Sequence, residues 1–337
     1  MRVCLMIEGQ EGVTWDDWLA LAGACERYGF EALFRSDHYL SVQGRPERDA
    51  LDAWATIAAL AARTERLRLG TLVSPVTFRH PSVLAKLVVT ADHVSGGRVE
   101  LGLGTGWSEP EHRAFGFPLP GVAERVDLLA EQLEVVHGIW TGPFDHQGAR
   151  YRLSGVDARP RPVQRPHPPL LVGGEGGRRS LALAARWADE YNTIRATVED
   201  CRARHERLRA AFEAAGRDPA SARLSLMTTC IVGADRAEVA ERARQAAERV
   251  GQTDLAGYVA KVDREGVIGT VDEAVARLTE LEAAGVGRVM LRHLVHDDLD
   301  MVALLGREVL PNVGQGSAPR PSTPGREEAG NTRAVGP

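Results

Sequence analysis

Lysine is nearly missing from this 337-residue chain: Lys86 and Lys261 are the only two, so the 41 basic residues are almost all arginine. They are dispersed, form no basic tract, and face 46 acidic residues for a net charge of −5. That balance argues against nucleic acid as a partner. Cysteine is scarce as well. Cys4, Cys25, Cys201 and Cys230 stand far apart without CxxC or Cys/His spacing. This excludes a disulfide framework and a structural zinc site, and predicts core thiols in a reducing cytoplasm. No apolar run approaches the ~20 residues needed to cross a bilayer, so no membrane partner is expected. A strand begins at once with Val3-Cys4-Leu5, leaving no signal peptide, and the predicted location is cytoplasmic. HExxH, Walker A, G-x-S-x-G and metal-ligand clusters are absent from the sequence, and no metal is expected.

What the chain does hold is 44% apolar residues, ample for a large core, in an order that repeats strand then helix. Val3–Ile7, Phe30–Arg35, Leu67–Val73, Arg98–Leu103, Leu170–Val172, Glu190–Ile194, Leu224–Val232 and Arg288–Leu291 read as eight strands. Helices are predicted over Thr14–Tyr28, Ala50–Arg63, from Pro81, over Val122–Trp140, Arg178–Trp187, Val198–Ala215, Ala237–Val250, from Thr270, and over Leu299–Val309. Thr14 with Asp17 and Thr270 with Glu273 have capping-box spacing, and Gly29 stands where a helix C-cap wants glycine. Eight alternations predict a single (β/α)8 TIM barrel over residues 1–313. A doubly wound open sheet is the alternative, because periodicity cannot see closure. Residues 142–169 read as a hairpin insertion followed by a Pro-rich arm. Residues 314–337 read as a disordered tail of Gly, Pro, Ser and charge.

Three polar clusters each follow a strand, where an α/β barrel keeps its chemistry. Ser36-Asp37-His38 closes the second strand. His38 can exchange a proton near neutral pH, and Asp37 can orient its ring or bind a ligand amide; the same residues could equally cap a turn. Gly102-Leu103-Gly104-Thr105-Gly106-Trp107 closes the fourth, with glycines where a planar ring must approach main chain and Trp107 as an aromatic wall. The spacing is not GxGxxG, and the acidic residue some twenty positions on (Glu124) falls in a helix, so the Rossmann reading is rejected. Gly173-Gly174-Glu175-Gly176-Gly177-Arg178-Arg179 follows the fifth strand. Its unhindered N–H groups at a helix start, with two arginines, predict a phosphate cradle, although a flexible turn with solvated arginines would read alike. Val73-Ser74 before Pro75 ends the third strand extended. Glu8, His112, Asn192 and Arg195 also lie toward the rim as candidate substrate contacts.

These pieces, with Gly70-Thr71-Leu72-Val73-Ser74-Pro75, Ala188 to Asn192, Ile268-Gly269-Thr270 and Ala284-Gly285-Val286, resemble the luciferase-like monooxygenase superfamily, in particular its coenzyme F420-dependent branch. The resemblance runs from residue 1 to about 313. It implies a TIM barrel, a homodimer, a small-molecule substrate, and a deazaflavin at the strand C-terminal ends. It further implies His38 and Asp37, with Ser36, at the ring and Val73-Ser74 as a backbone bulge under it, often with a non-proline cis peptide. Gly104, Thr105, Gly106 and Trp107 would flank the ring. Gly176, Gly177 and Arg178 would receive the phosphate, with Gly174 and Arg179 of the same turn as further candidate cofactor contacts. Sugar-phosphate dehydrogenases of this branch carry a glutamate where Trp107 stands, so a more hydrophobic substrate is expected. The expected activity is hydride transfer between F420 and such a substrate. The alternatives are an FMN-dependent monooxygenase on the same barrel and a non-catalytic flavin-binding barrel.

Overall fold

The eight apolar runs pair in parallel, and the last returns to the first. The computed structural model describes residues 1–313, and the tail expected to be disordered (314–337) lies outside the described residues. The barrel strands are β1 (Arg2–Ile7), β2 (Ala32–Arg35), β3 (Arg68–Thr71), β4 (Val99–Gly104), β5 (Leu170–Gly173), β6 (Glu190–Ile194), β7 (Leu224–Gly233) and β8 (Val286–Arg292). Each pairs with the next. The closing register runs from Arg2 opposite Arg288 to Met6 opposite Arg292. This is the closed (β/α)8 barrel, and the open-sheet alternative falls. No helix among the described residues is long and apolar enough to cross a membrane.

A closed barrel must fill its own interior with side chains. Cys4, Met6, Ala32, Phe34, Leu72, Leu171 and Met290 form the apolar filling. At the N-terminal end of the strands the filling is ionic. The buried Arg288 guanidinium donates to both oxygens of Glu100, at 2.7 and 3.1 Å, and lies 3.5 Å from Glu190 and 3.1 Å from Glu31. It also rests over the Phe34 ring, 4.9 Å from its centroid. Arg68 supplements Glu100 at 2.5 Å and Arg2 supplements Glu190 at 3.2 Å. Burial pushes the carboxyls of Glu100 and Glu190 up; for Glu100 the charges and hydrogen bonds of Arg288 and Arg68 overcome it and hold the group low, whereas Glu190 stays raised.

The helices start where the caps indicate. Thr14 and Asp17 close a full capping box on the helix Trp15–Tyr28, and Thr270 and Glu273 close one on Val271–Ala283. Gly29 ends the first of these in the left-handed conformation, φ 81°. The insertion contains an antiparallel hairpin, Phe144–Gln147 with Arg152–Val156. Glu131 anchors its tip by accepting the N–H groups of Arg150 and Tyr151, at 3.1 and 2.7 Å. The arm after it is held by Asp92, which accepts from Val163 and Gln164 at 2.6 and 3.1 Å, and contains cis Arg159-Pro160 and Arg165-Pro166 bonds.

Two helices and a strand are additional to the sequence reading. Glu109–Phe115 follows β4, Leu255–Glu265 precedes β8, and Val267–Thr270 adds a parallel strand on the far half of β7, Cys230–Gly233. The helix expected over Leu299–Val309 is α-helical only to Leu304 and continues as a π turn, Leu305–Val309. All four cysteines are buried and free.

Arg288→Met strips the interior carboxylates of their central cation. Removing one partner of a buried pair typically costs about 3–5 kcal/mol, and urea unfolding should show a loss of that size.

Candidate active site

The end of β2 is clamped by buried charge. Asp37 Oδ2 accepts the Ser74 hydroxyl and an Arg79 N–H, both at 2.6 Å. Arg79 also donates to Asp52, at 2.7 Å, and to the Tyr39 hydroxyl, at 2.8 Å. Trp54 donates to Ser74 at 3.0 Å. The segments after β1, β2 and β3 therefore share one network, completed by Ser36, which accepts Gly9 N–H at 3.0 Å and donates to Gln10. Asp37 Oδ1 is buried and has no protein partner.

The carboxylate on the His38 ring is Glu111, not Asp37. Glu111 Oε2 lies 2.8 Å from His38 Nδ1, while its Oε1 accepts the main-chain N–H groups of Tyr39 and, at 3.3 Å, Leu40. Asp37 makes no bond to the ring: its Oδ2 is taken by Ser74 and Arg79, and its Oδ1 has no protein partner. Trp107 meets the His38 ring edge-on, with centroids 5.7 Å apart. Nε2 of His38 has no protein hydrogen-bond partner among the described residues. Burial alone would depress the basicity of His38. The hydrogen bond and charge of Glu111, with the charges of Glu8 and Asp37, outweigh it and raise the ring above its ordinary value.

Beside this lies a platform. The Leu72-Val73 peptide is cis, and Ser74–Pro75 then rejoins the sheet beside Leu103 and Gly104. The glycines of β4 and β5 make room for Val73 itself. A Cβ on Gly104 would lie 2.5 Å from Val73 Cγ2, and one on Gly102 or Gly173 would lie 2.9 or 3.0 Å from Val73 Cγ1. For Gly104 and Gly173 the nearest neighbour is the Val73 side chain, whereas a Cβ on Gly102 would first meet Thr71 O. Gly106, at φ 76°, packs toward Thr77 and Pro75, and Thr105 is half-buried above Gly104.

The turn after β5 is pinned from below. Tyr191 accepts the Gly176 N–H at 2.9 Å, and a Cβ on Gly174 would come within 2.5 Å of that hydroxyl. The ten-residue helix Arg178–Trp187 has Gly177 as its N-cap and no side-chain cap, so its first N–H groups have no side-chain acceptor. Arg178 is exposed and has no protein partner among the described residues. Arg207 donates to Gly176 O at 3.2 Å, and Arg204 donates to Ile194 O at 2.7 Å. Glu175 is drawn aside toward Arg195, 3.7 Å away.

Several expected contacts do not converge here. Arg179 turns from the cradle to Asp127 and to Ala123 O, because the helix periodicity puts it over the neighbouring helix Val122–Thr141. His112 is buried with both nitrogens used, Nδ1 on Ser108 O and Nε2 on the Thr77 hydroxyl, each at 2.6 Å. Asn192 is buried in the barrel and donates to Ser225, at 3.0 Å, and to Met290 sulfur, at 3.5 Å. Arg195 is solvated, with Glu175 as its neighbour. Glu8 does face the mouth, 3.4 Å from Arg292. Sequence reasoning passed over Glu111 and Arg79. Pro110 hid the helical turn that brings Glu111 round, and nothing in the Thr77–His80 stretch marks Arg79 as the cation of a buried network.

The model of a family described as luciferase-like monooxygenase matches residues 2–288. The chain is 28% identical over 333 residues to the FMNH2-dependent dimethylsulfone monooxygenase of Pseudomonas putida, covering 90% of each. It is 35% identical over 170 residues to the F420-dependent glucose-6-phosphate dehydrogenase of Microbacterium testaceum, covering 50% of this chain and 49% of that one. The crystal structure of a monooxygenase from Streptomyces bottropensis superposes with a TM-score of 0.79 at 25% identity, over 92% of this chain and 99% of that one. The relatives therefore include users of both reduced FMN and F420.

Because Val73 occupies the space above Gly104, Gly104→Ala should displace it and destabilise the protein by about 1–3 kcal/mol. Trimming the opposing side chain in Val73→Ala/Gly104→Ala should recover part of that loss in thermal unfolding.

Proposed function

This chain belongs to the luciferase-like monooxygenase family, and from that premise we propose that it is an oxidoreductase passing hydride between coenzyme F420 and a small hydrophobic substrate. The observation that carries the reading is His38, held through Nδ1 by Glu111 with Nε2 open and the ring edge-on to Trp107. The residues present suit a deazaflavin. The uncapped start of the helix at Gly177, with Gly176 and Arg178, would receive its phosphate. The unpartnered Asp37 Oδ1 would accept a ring N–H, and Val73 and Trp107 would lie against the ring. When bound, a deazaflavin supplies a carbon that accepts or gives hydride.

The chain's own work is then to position and to manage one proton. His38 exchanges it at Nε2, and the Glu111 bond keeps the ring from rotating out of line. Exposed Trp107, edge-on to His38, gives the mouth an apolar wall, which favours a hydrophobic substrate over a sugar phosphate. A second reading, a monooxygenase using reduced FMN and oxygen, is favoured by the relative covered over 90% of its length. The same cradle suits the FMN phosphate.

Titrating the purified protein with oxidised F420 and with FMN separates the two. Tight F420 binding is expected, and binding of FMN alone would transfer the assignment to the second reading. His38→Ala should lower turnover by roughly 10²–10⁴ while leaving cofactor binding in place.

A further inference from the structure

We infer that Glu111 is a positioning residue that keeps a proton on His38, so that the resting enzyme presents Nε2–H as a proton donor at the barrel mouth. This rests on the reading of His38 as the proton-exchanging group. Glu111 is buried among hydrogen-bond donors. Its side chain is 1% exposed, and its partners are His38 Nδ1 and the main-chain N–H groups of Tyr39 and Leu40. Among the described residues no arginine or lysine pairs with it.

The other charged groups around His38 are already balanced. Asp37, on the same strand end, is matched by Arg79 at 2.6 Å. Glu8, at the end of β1, faces Arg292 at 3.4 Å and accepts the Gln10 amide at 2.8 Å. Trp107, on the loop after β4, offers only a ring edge. Glu111 is thus the one carboxylate facing this histidine without a separate cation.

A buried carboxylate with no counter-charge is costly, so the pair resists losing its proton. That proton sits either on Nδ1, making an imidazolium beside a carboxylate, or on Oε2, pointing at Nδ1. The two forms hold the same number of protons, and in both of them Nε2 carries hydrogen. When Nε2 donates, its N–H bond breaks and the electron pair stays on the ring. Nδ1–H then remains on Glu111, and solvent restores the lost proton. The raised basicity of the ring agrees with this. The consequence is directional: His38 begins a turnover as an acid, matched to a substrate that gains a proton as it gains hydride.

The test is an NMR titration of the His38 ring in the full chain, assigned by the resonance missing from His38→Asn, and it needs no cofactor. The ring should titrate above the ordinary histidine midpoint of about 6.5. In Glu111→Gln, which keeps an acceptor for the two main-chain N–H groups, the midpoint should fall by about one pH unit or more. Glu111→Asp should restore part of it, and the pH–rate profile of kcat/KM should move with the ring. An unchanged midpoint in Glu111→Gln overturns the inference. If that variant does not fold, the native protein decides, since a midpoint at or below about 6.5 overturns it equally. Failure to bind either cofactor would remove the proposed function and leave the titration standing; an uncoupled ring in a cofactor-binding protein would remove this inference alone.

Discussion

Closure of the barrel depends on what plugs it. Eight short strands can curl into a cylinder only if side chains fill the axis, and here the lower part of that filling is a guanidinium among carboxylates. Arg288 joins β8 to β4 and β6 through Glu100 and Glu190, which sit on strands far apart in sequence. Such a cluster is tolerated inside a protein because both Glu100 oxygens and Glu190 Oε2 find a cation, while Glu190 Oε1 is left without a partner and the Glu190 carboxyl stays raised. Above it, Met6, Phe34, Leu72, Leu171 and Met290 complete the plug. At the C-terminal ends of the strands the polar clusters take over from this filling.

The rim is built by the same means. Asp37, Arg79, Asp52, Tyr39 and Ser74 form a connected network in which Arg79 is the shared cation. It locks the segments after β2 and β3 against the helix beginning at Ala53, so His38 is presented from a rigid base. Glu111 then reaches across from the short helix after β4. The site draws its precision from buried polar contacts, with the aromatic cluster of Tyr39, Phe78, Phe115 and Phe117 packed behind it.

Much of this was readable from residues alone, and the failures have physical causes. The strands were found because runs such as Val3–Ile7 are buried on both faces and read as continuous apolar segments. The helix starts were found because capping boxes are local. The strand Val267–Thr270 was missed because four residues on an edge carry little pattern, and the helix Glu109–Phe115 because it is short and opens on Pro110. Within the site, Ser36–His38, Val73 and the Gly173–Arg178 turn were visible as exceptions at strand ends. Arg179 and His112 were misjudged because nearness to the rim in sequence does not settle which way a side chain leaves its helix.

Local chemistry was enough to establish the alternation of strands and helices, the caps, and the positions of the rim clusters, since each depends on neighbours within a few residues. Partnership was beyond its reach. That Glu111 and not Asp37 holds His38, that Val73 fills the space cleared by Gly102, Gly104 and Gly173, and that Arg288 balances Glu100 and Glu190 are contacts between residues 29 to 188 positions apart. Such pairs come into being only when the barrel closes, because burial and distance, which decide which charge answers which, exist only in the folded chain.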